Sequence, residues 1–288
     1  MREALREALP FHLQMAEHFG ERAAQAEIEL WIGSIAVGMF ACYLVYDQMQ
    51  KYSPIIFGDY YKKLPKAKQV EWDNRAFSTS HAIFAGFAAG YLLLLSGTFC
   101  DDRPFGPVPY RSTIFSFFTL GFSTGYFLAD LVMIVWLYPS LGGLEIVRFL
   151  QAIDLGMVLH HLLSLGSVIL GNYTAHAHYY ILMVLFSEIS TPFINIRWYL
   201  IESGLKNSKA YLYNGVALFF VWLGVRVLMF IYFFYHIYIH YDEIREFYAP
   251  GFYFMFTAPP GLALMNLFWF YKILVGVLKT FSRSGKRE

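Results

Sequence analysis

Two adjacent histidines, His160 and His161, lie in the run DLGMVLHHLLSLGSVILG (154–171), where the only other polar residues are Asp154, Ser164 and Ser167. An imidazole is costly in such surroundings without a partner, and it is the side chain best suited to moving a proton near neutral pH. Asp154, His161 and Ser164 follow i, i+7, i+10 and share a helix face, while His160, Ser164 and Ser167 follow i, i+4, i+7 on an adjacent one. A second polar stripe runs through SEISTPFINIRW (187–198), where Glu188, Thr191 and Asn195 recur at i, i+3, i+7. Asp130 is isolated in GYFLADLVMIV (125–135), Arg226 is deep in another apolar run with Asp130 or Glu188 as partner, and His81 stands in STSHAIF (78–84). A histidine beside a buried carboxylate is an acid/base arrangement, since the acid fixes the tautomer and supports the imidazolium. Interhelical His–Asp or His–Glu hydrogen bonds also hold membrane bundles together without chemistry. Spacing alone leaves both readings open. The candidate catalytic residues are His160, His161, Asp130 and Glu188; the candidate lipid-contacting residues are Arg197, Asn195, Arg226, His81 and Asp154. Arg197, beside Trp198 near a helix end, has the form of a snorkelling anchor or of a lipid headgroup partner.

Other histidines carry less. His236 and His240 are spaced i, i+4, which suits a metal, but the remaining histidines are scattered, and a solvated interfacial pair is the expectation. His176 and His178 fall in a short loop and are expected to face solvent. No metal-ligand set or nucleotide motif appears, so no cofactor is expected. The two cysteines, Cys42 and Cys100, make no disulfide framework, and a net charge of +1 gives no basic surface for nucleic acid.

The elements that must position these groups are membrane helices. Hydrophobic residues make up 57% of the 288-residue chain and charged residues 15%, against about 25% charged in a soluble domain. Runs of the roughly 20 apolar residues needed to cross a bilayer predict seven spans: 28–48, 78–99, 112–138, 153–171, 175–199, 211–239 and 253–279. Gly171-Asn172 is taken as the turn of a tight hairpin between the fourth and fifth, which brings the histidine faces to the Glu188 stripe. Pro259-Pro260 either kinks the seventh helix or opens its main part at Gly261. With seven spans, one side carries six Lys and Arg and the other thirteen, which puts the 49–77 loop and the C-terminus in the cytosol and the N-terminus on the luminal or outer side. Residues 1–27 form an extramembrane segment, either an interfacial amphipathic helix or a helix packed on the bundle, and 281–288 a basic tail.

Five segments in order, VEWDNRAFSTSHAI (70–83), STGYFLADLVMIV (123–135), LHHLLSL (159–165), SEISTPFINIRWYL (187–200) and NGVALFFVWLGVR (214–226), resemble the TLC-domain family of polytopic membrane proteins over about residues 70–275. The patterns look most like the smaller, non-ceramide-synthase subgroup. The resemblance implies an all-α membrane protein in which six core helices form a barrel-like bundle, with His160, His161 and Asp130 on a cavity wall. It also implies residence in the endoplasmic reticulum or a related endomembrane. Ceramide synthases continue past the histidines to HDxxDxxLE; the corresponding FSEISTPFINIRWYL keeps one acid, Glu188. The expected function is therefore to bind, sense or remodel membrane lipids in an intramembrane cavity. The alternatives are an acyltransferase using acyl-CoA as co-substrate and a non-catalytic structural or trafficking partner.

Overall fold

Backbone N–H and C=O groups in hydrocarbon must be satisfied within the segment itself, so the apolar runs have to become helices. The computed structural model describes residues 11–100, 106–140 and 155–284, with side chains over 26–100, 106–134 and 156–279; among these there are helices and no strand. In chain order they are α1 (Phe11–Ile56), α2 (Gly58–Lys62), α3 (Lys66–Gly90), α4 (Ile114–Ser140), α5 (Leu155–Thr174), α6 (His178–Phe186), α7 (Thr191–Glu202), α8 (Lys209–Trp222), α9 (Met229–Ile239), α10 (Tyr241–Ile244), α11 (Ala249–Met255) and α12 (Ala258–Ser284). Six stretches are long and apolar enough to cross a membrane: Ala26–Ile56, Lys66–Leu95, Ile114–Ile134, His178–Glu202, Lys209–Ile239 and Ala249–Lys279. The histidine-bearing α5 is a 20-residue helix, about 30 Å long, whose apolar run is diluted by His160, His161, Ser164, Ser167 and Asn172. The chain is an all-α integral membrane protein.

Packing closes a ring. Helix α3 lies against α4, α4 against α5, α5 against α12, α12 against α8, α8 against α7, and α7 against α3. Helix α1 stays outside it, on α4 and α3. Its approach to α4 is close enough that a Cβ on Gly38 would run into the Phe122 carbonyl and one on Gly125 into that of Ile35, the small-residue contact by which membrane helices gain van der Waals packing. Large apolar side chains such as Phe87, Leu94 and Leu264 point outward, at 70%, 72% and 70% exposure, as a lipid-facing surface requires.

Several boundaries differ from the sequence expectation. The second span starts at Lys66 rather than 78, because the charged stretch EWDNR is helical: Glu71, Asn74 and Arg75 turn to the ring interior, while Asp73 accepts from Ser53 and Tyr61 on α1 and α2. The hairpin turn falls at Ala175–Ala177, two of whose residues adopt left-handed φ of 56° and 62°. Gly171 stays inside α5, where its missing side chain admits Ile181, and the buried Asn172 donates to the Phe117 carbonyl (3.1 Å). The expectation that His178 faces solvent is wrong: it is fully buried, with Nδ1 2.7 Å from Ser116 Oγ and Nε2 3.2 Å from the Gly171 carbonyl. Both ring nitrogens have partners, which is how an imidazole is tolerated there. His236 is buried too, stacked on His240 and 3.0 Å from the Tyr180 hydroxyl, instead of solvated. Pro259-Pro260 sit in the first turn of α12, where no backbone donor is needed. Two irregular turns matter for the site. A 3₁₀ turn, Ser187–Ser190, separates α6 from α7, and a π turn, Leu223–Leu228, joins α8 to α9.

Candidate functional site

The ring encloses a cavity of about 580 Å³, within the roughly 300–1,000 Å³ range of small-molecule sites. All six ring helices contribute to its wall, along with the two irregular turns. His160, His161, Asp130, Glu188, Asn195, Arg197 and Arg226, scattered over nearly 100 positions (130–226), all line it. His81 does not line it: its ring lies behind the wall, stacked on Tyr126 at 3.7 Å between centroids, with Nε2 3.1 Å from Ser123 Oγ. Asp154 is outside the described residues.

Two polar clusters line the cavity. In the first, His161 Nε2 is 2.7 Å from Asp130 Oδ2, while Nδ1 is 2.9 Å from the Met157 carbonyl. A carbonyl only accepts, so Nδ1 carries a hydrogen and donates. A single proton then lies between Nε2 and Oδ2, held in a dyad whose tautomer and ring orientation are fixed by the helix's own backbone. Asn74 Nδ2 donates to the other carboxylate oxygen, Oδ1, at 3.1 Å.

The second cluster is built on Arg226. The π turn carries it into the ring, where it is 4% exposed; such turns are frequent at functional sites. Its Nη2 donates to Glu188 Oε1 (3.0 Å), Nε to Ser190 Oγ (2.8 Å) and Nη1 to Asn266 Oδ1 (3.3 Å), with the guanidinium over the Trp222 ring at 4.8 Å. Thr191 Oγ1 donates to Glu188 Oε2 (2.7 Å). Of the two partners expected for Arg226, Glu188 is the one it takes. His160 Nε2 stands 3.9 Å from Glu188 Oε1, beyond hydrogen-bond length. Its ring sits edge-on to His161 and Trp269.

Asn195 is a strut. Its side-chain oxygen accepts from Arg75 Nη1 (2.9 Å) and its nitrogen donates to Thr79 Oγ1 (2.9 Å) and the Arg75 carbonyl (3.2 Å), tying α7 to α3. Sequence reasoning missed Asn74 and Arg75, which it left in a loop, and Trp222, Trp269 and Lys272, which read as ordinary span residues. The signal for the first two was present, since Asn74 and Ser78 are spaced i, i+4 and fall on the cavity side of α3.

Six helices in a closed ring around buried polar groups define a polytopic membrane protein with an internal cavity. Comparison with protein families matches residues 71–275 to the TLC domain, and the chain belongs to that family. It is similar to TLC domain-containing protein 4 A of Dictyostelium discoideum, 27% identical over 80% of this chain and 83% of that protein. TLC domain-containing protein 4-A of Xenopus laevis is 28% identical over 79% and 84%, and TLC domain-containing protein 4 of Homo sapiens 25% identical over 77% and 80%. None of these relatives is a ceramide synthase by its description.

Proposed function

We propose that the ring cavity binds a membrane lipid by its acyl chain, and that the protein senses or remodels lipids through it. The observation that carries this reading is the wall itself: apolar Met157, Leu218, Trp269, Ile273 and Val277 surround a ligand-sized space, while Asp130 with His161 and Glu188 with Arg226 are tied in pairs on the wall. A cavity lined mainly by apolar groups, with a few convergent polar ones that fix orientation, is the usual form of a small-molecule site. His160, His161, Asp130 and Glu188 would meet the ligand's polar or reacting part. In orientation, the end of the bundle bearing α2 and the α7–α8 connection faces the cytosol, as its lysines favour, in an endoplasmic reticulum or related membrane.

A second reading, acyl transfer from acyl-CoA to a lipid acceptor, draws on the 2.7 Å His161–Asp130 pair. His160, next to that pair and with no hydrogen bond to Glu188 at 3.9 Å, would take the acceptor's proton while the acyl carbon passes from the CoA sulfur to the acceptor atom and CoA leaves as the thiolate.

Lipid extracted from the protein purified in mild detergent and identified by mass spectrometry tests the first reading. The expected result is one lipid class enriched over the composition of the source membrane. A profile equal to that of the bulk membrane would overturn it.

A further inference from the structure

The arginines on the cavity wall are not alike. Arg226 is paired with Glu188 and Arg75 with Glu71. Arg197 forms no ion pair among the described residues. Its guanidinium lies on the Tyr211 ring, 4.1 Å from the centroid, a seat that orients a cation while leaving its N–H groups to donate elsewhere. The backbone makes room for it. A Cβ on Gly215 of α8 would stand 2.7 Å from Nη1, and one on Gly276 of α12 3.9 Å from Nη2. Lys272, one turn before Gly276 on α12, lines the same end of the cavity, is exposed, and holds its Nζ 4.2 Å from the Phe268 ring; it too forms no ion pair among the described residues. Glu71 on the opposite wall is already held by Arg75 and by Lys68, at 2.8 and 2.9 Å.

Two cations without acidic partners among the described residues therefore flank one mouth of the cavity. We infer that Arg197 and Lys272 bind the phosphate of an anionic lipid headgroup whose acyl chain occupies the cavity. The inference rests on the lipid-binding reading above and names its ligand class. Guanidinium and ammonium together suit a phosphate, the first offering a planar donor fork and the second a mobile point charge. This end of the bundle also carries the lysine-rich segments that favour an anionic leaflet.

The test uses the full chain in detergent with three probes: oleoyl lysophosphatidate, monooleoylglycerol with the same chain, and inorganic phosphate. Charge-assisted hydrogen bonds are worth about 1.5–3 kcal/mol, so the lysophosphatidate is expected to bind at least about tenfold more tightly than the neutral lipid. The R197Q/K272Q variant should lose that preference while binding monooleoylglycerol as the wild type does. Equal affinity for the two lipids in the wild type, or a preference that survives in R197Q/K272Q, overturns the headgroup site but leaves the lipid cavity standing. Inorganic phosphate that binds as tightly as the lysophosphatidate assigns the site to a free ion and overturns the lipid source. If neither lipid binds, the cavity reading itself fails.

Discussion

Arg226→Leu is expected to lower the stability of the bundle by about 3–5 kcal/mol, the cost of leaving one member of a buried ion pair without its partner. Arg226 touches more of the structure than any single interhelical pair does: it joins the 3₁₀ turn through Glu188 and Ser190, and α12 through Asn266, from a turn between α8 and α9. Its removal strands the Glu188 carboxylate, 8% exposed, with Thr191 as its remaining hydrogen-bond donor among the described residues. The double variant Glu188→Leu/Arg226→Leu takes both charges out of the interior and is expected to recover most of the loss, because a well-packed apolar pair is often as stable as a buried salt bridge. The melting midpoint of the purified protein in one detergent reads both. A single variant within about 1 kcal/mol of the wild type would mean the pair is solvated and the cluster does not join the ring.

At Asp130 the replacements separate folding from proton handling. Asp130→Leu leaves both His161 Nε2 and Asn74 Nδ2 without the oxygens they now contact at 2.7 and 3.1 Å. Two unsatisfied buried groups cost about 1–3 kcal/mol each, so a loss of about 2–6 kcal/mol is expected. Asp130→Asn behaves differently. The amide oxygen accepts from Asn74 and the amide nitrogen donates to a neutral Nε2, so every hydrogen bond survives and the expected loss is about 1 kcal/mol or less. What disappears is the shared proton. A large destabilisation in Asp130→Asn as well would show that the dyad's charge, and not its hydrogen bonds, supports the fold.

How far the sequence anticipates this is clearest residue by residue. His160, His161, Asp130 and Glu188 announce themselves because ionisable groups at membrane depth have no cheap place except an interior. Arg226 is legible on the same ground, but its choice of Glu188 over Asp130 depends on the π turn, which no spacing rule foresees. The EWDNR stretch misleads for the opposite reason: its charge density reads as a loop, yet Glu71, Asn74 and Arg75 have a polar wall to line and Asp73 has Ser53 and Tyr61 to accept from, so Asn74 and Arg75 become partners of Asp130 and Asn195. His178 misleads similarly, since a histidine next to a turn looks solvated until Ser116 and the Gly171 carbonyl are brought to its two nitrogens. His81 has the right depth but the wrong face, and that is set by how α3 rotates against α4. The family resemblance anticipates the six-helix ring; which polar group meets which is written in tertiary packing alone.

A lipid site in the ring interior has a measurable signature, a lipid held in the cavity. Leu218, 3% exposed, projects from α8 into the cavity wall, so Leu218→Trp places an indole in the space the acyl chain would take. Native mass spectrometry of both proteins, released from the same detergent, reads the bound mass. The wild type is expected to carry a lipid adduct that Leu218→Trp lacks, with the variant still folded and its melting midpoint lowered only by the lost ligand. A bare wild type, or the same adduct on both proteins, would contradict the lipid site.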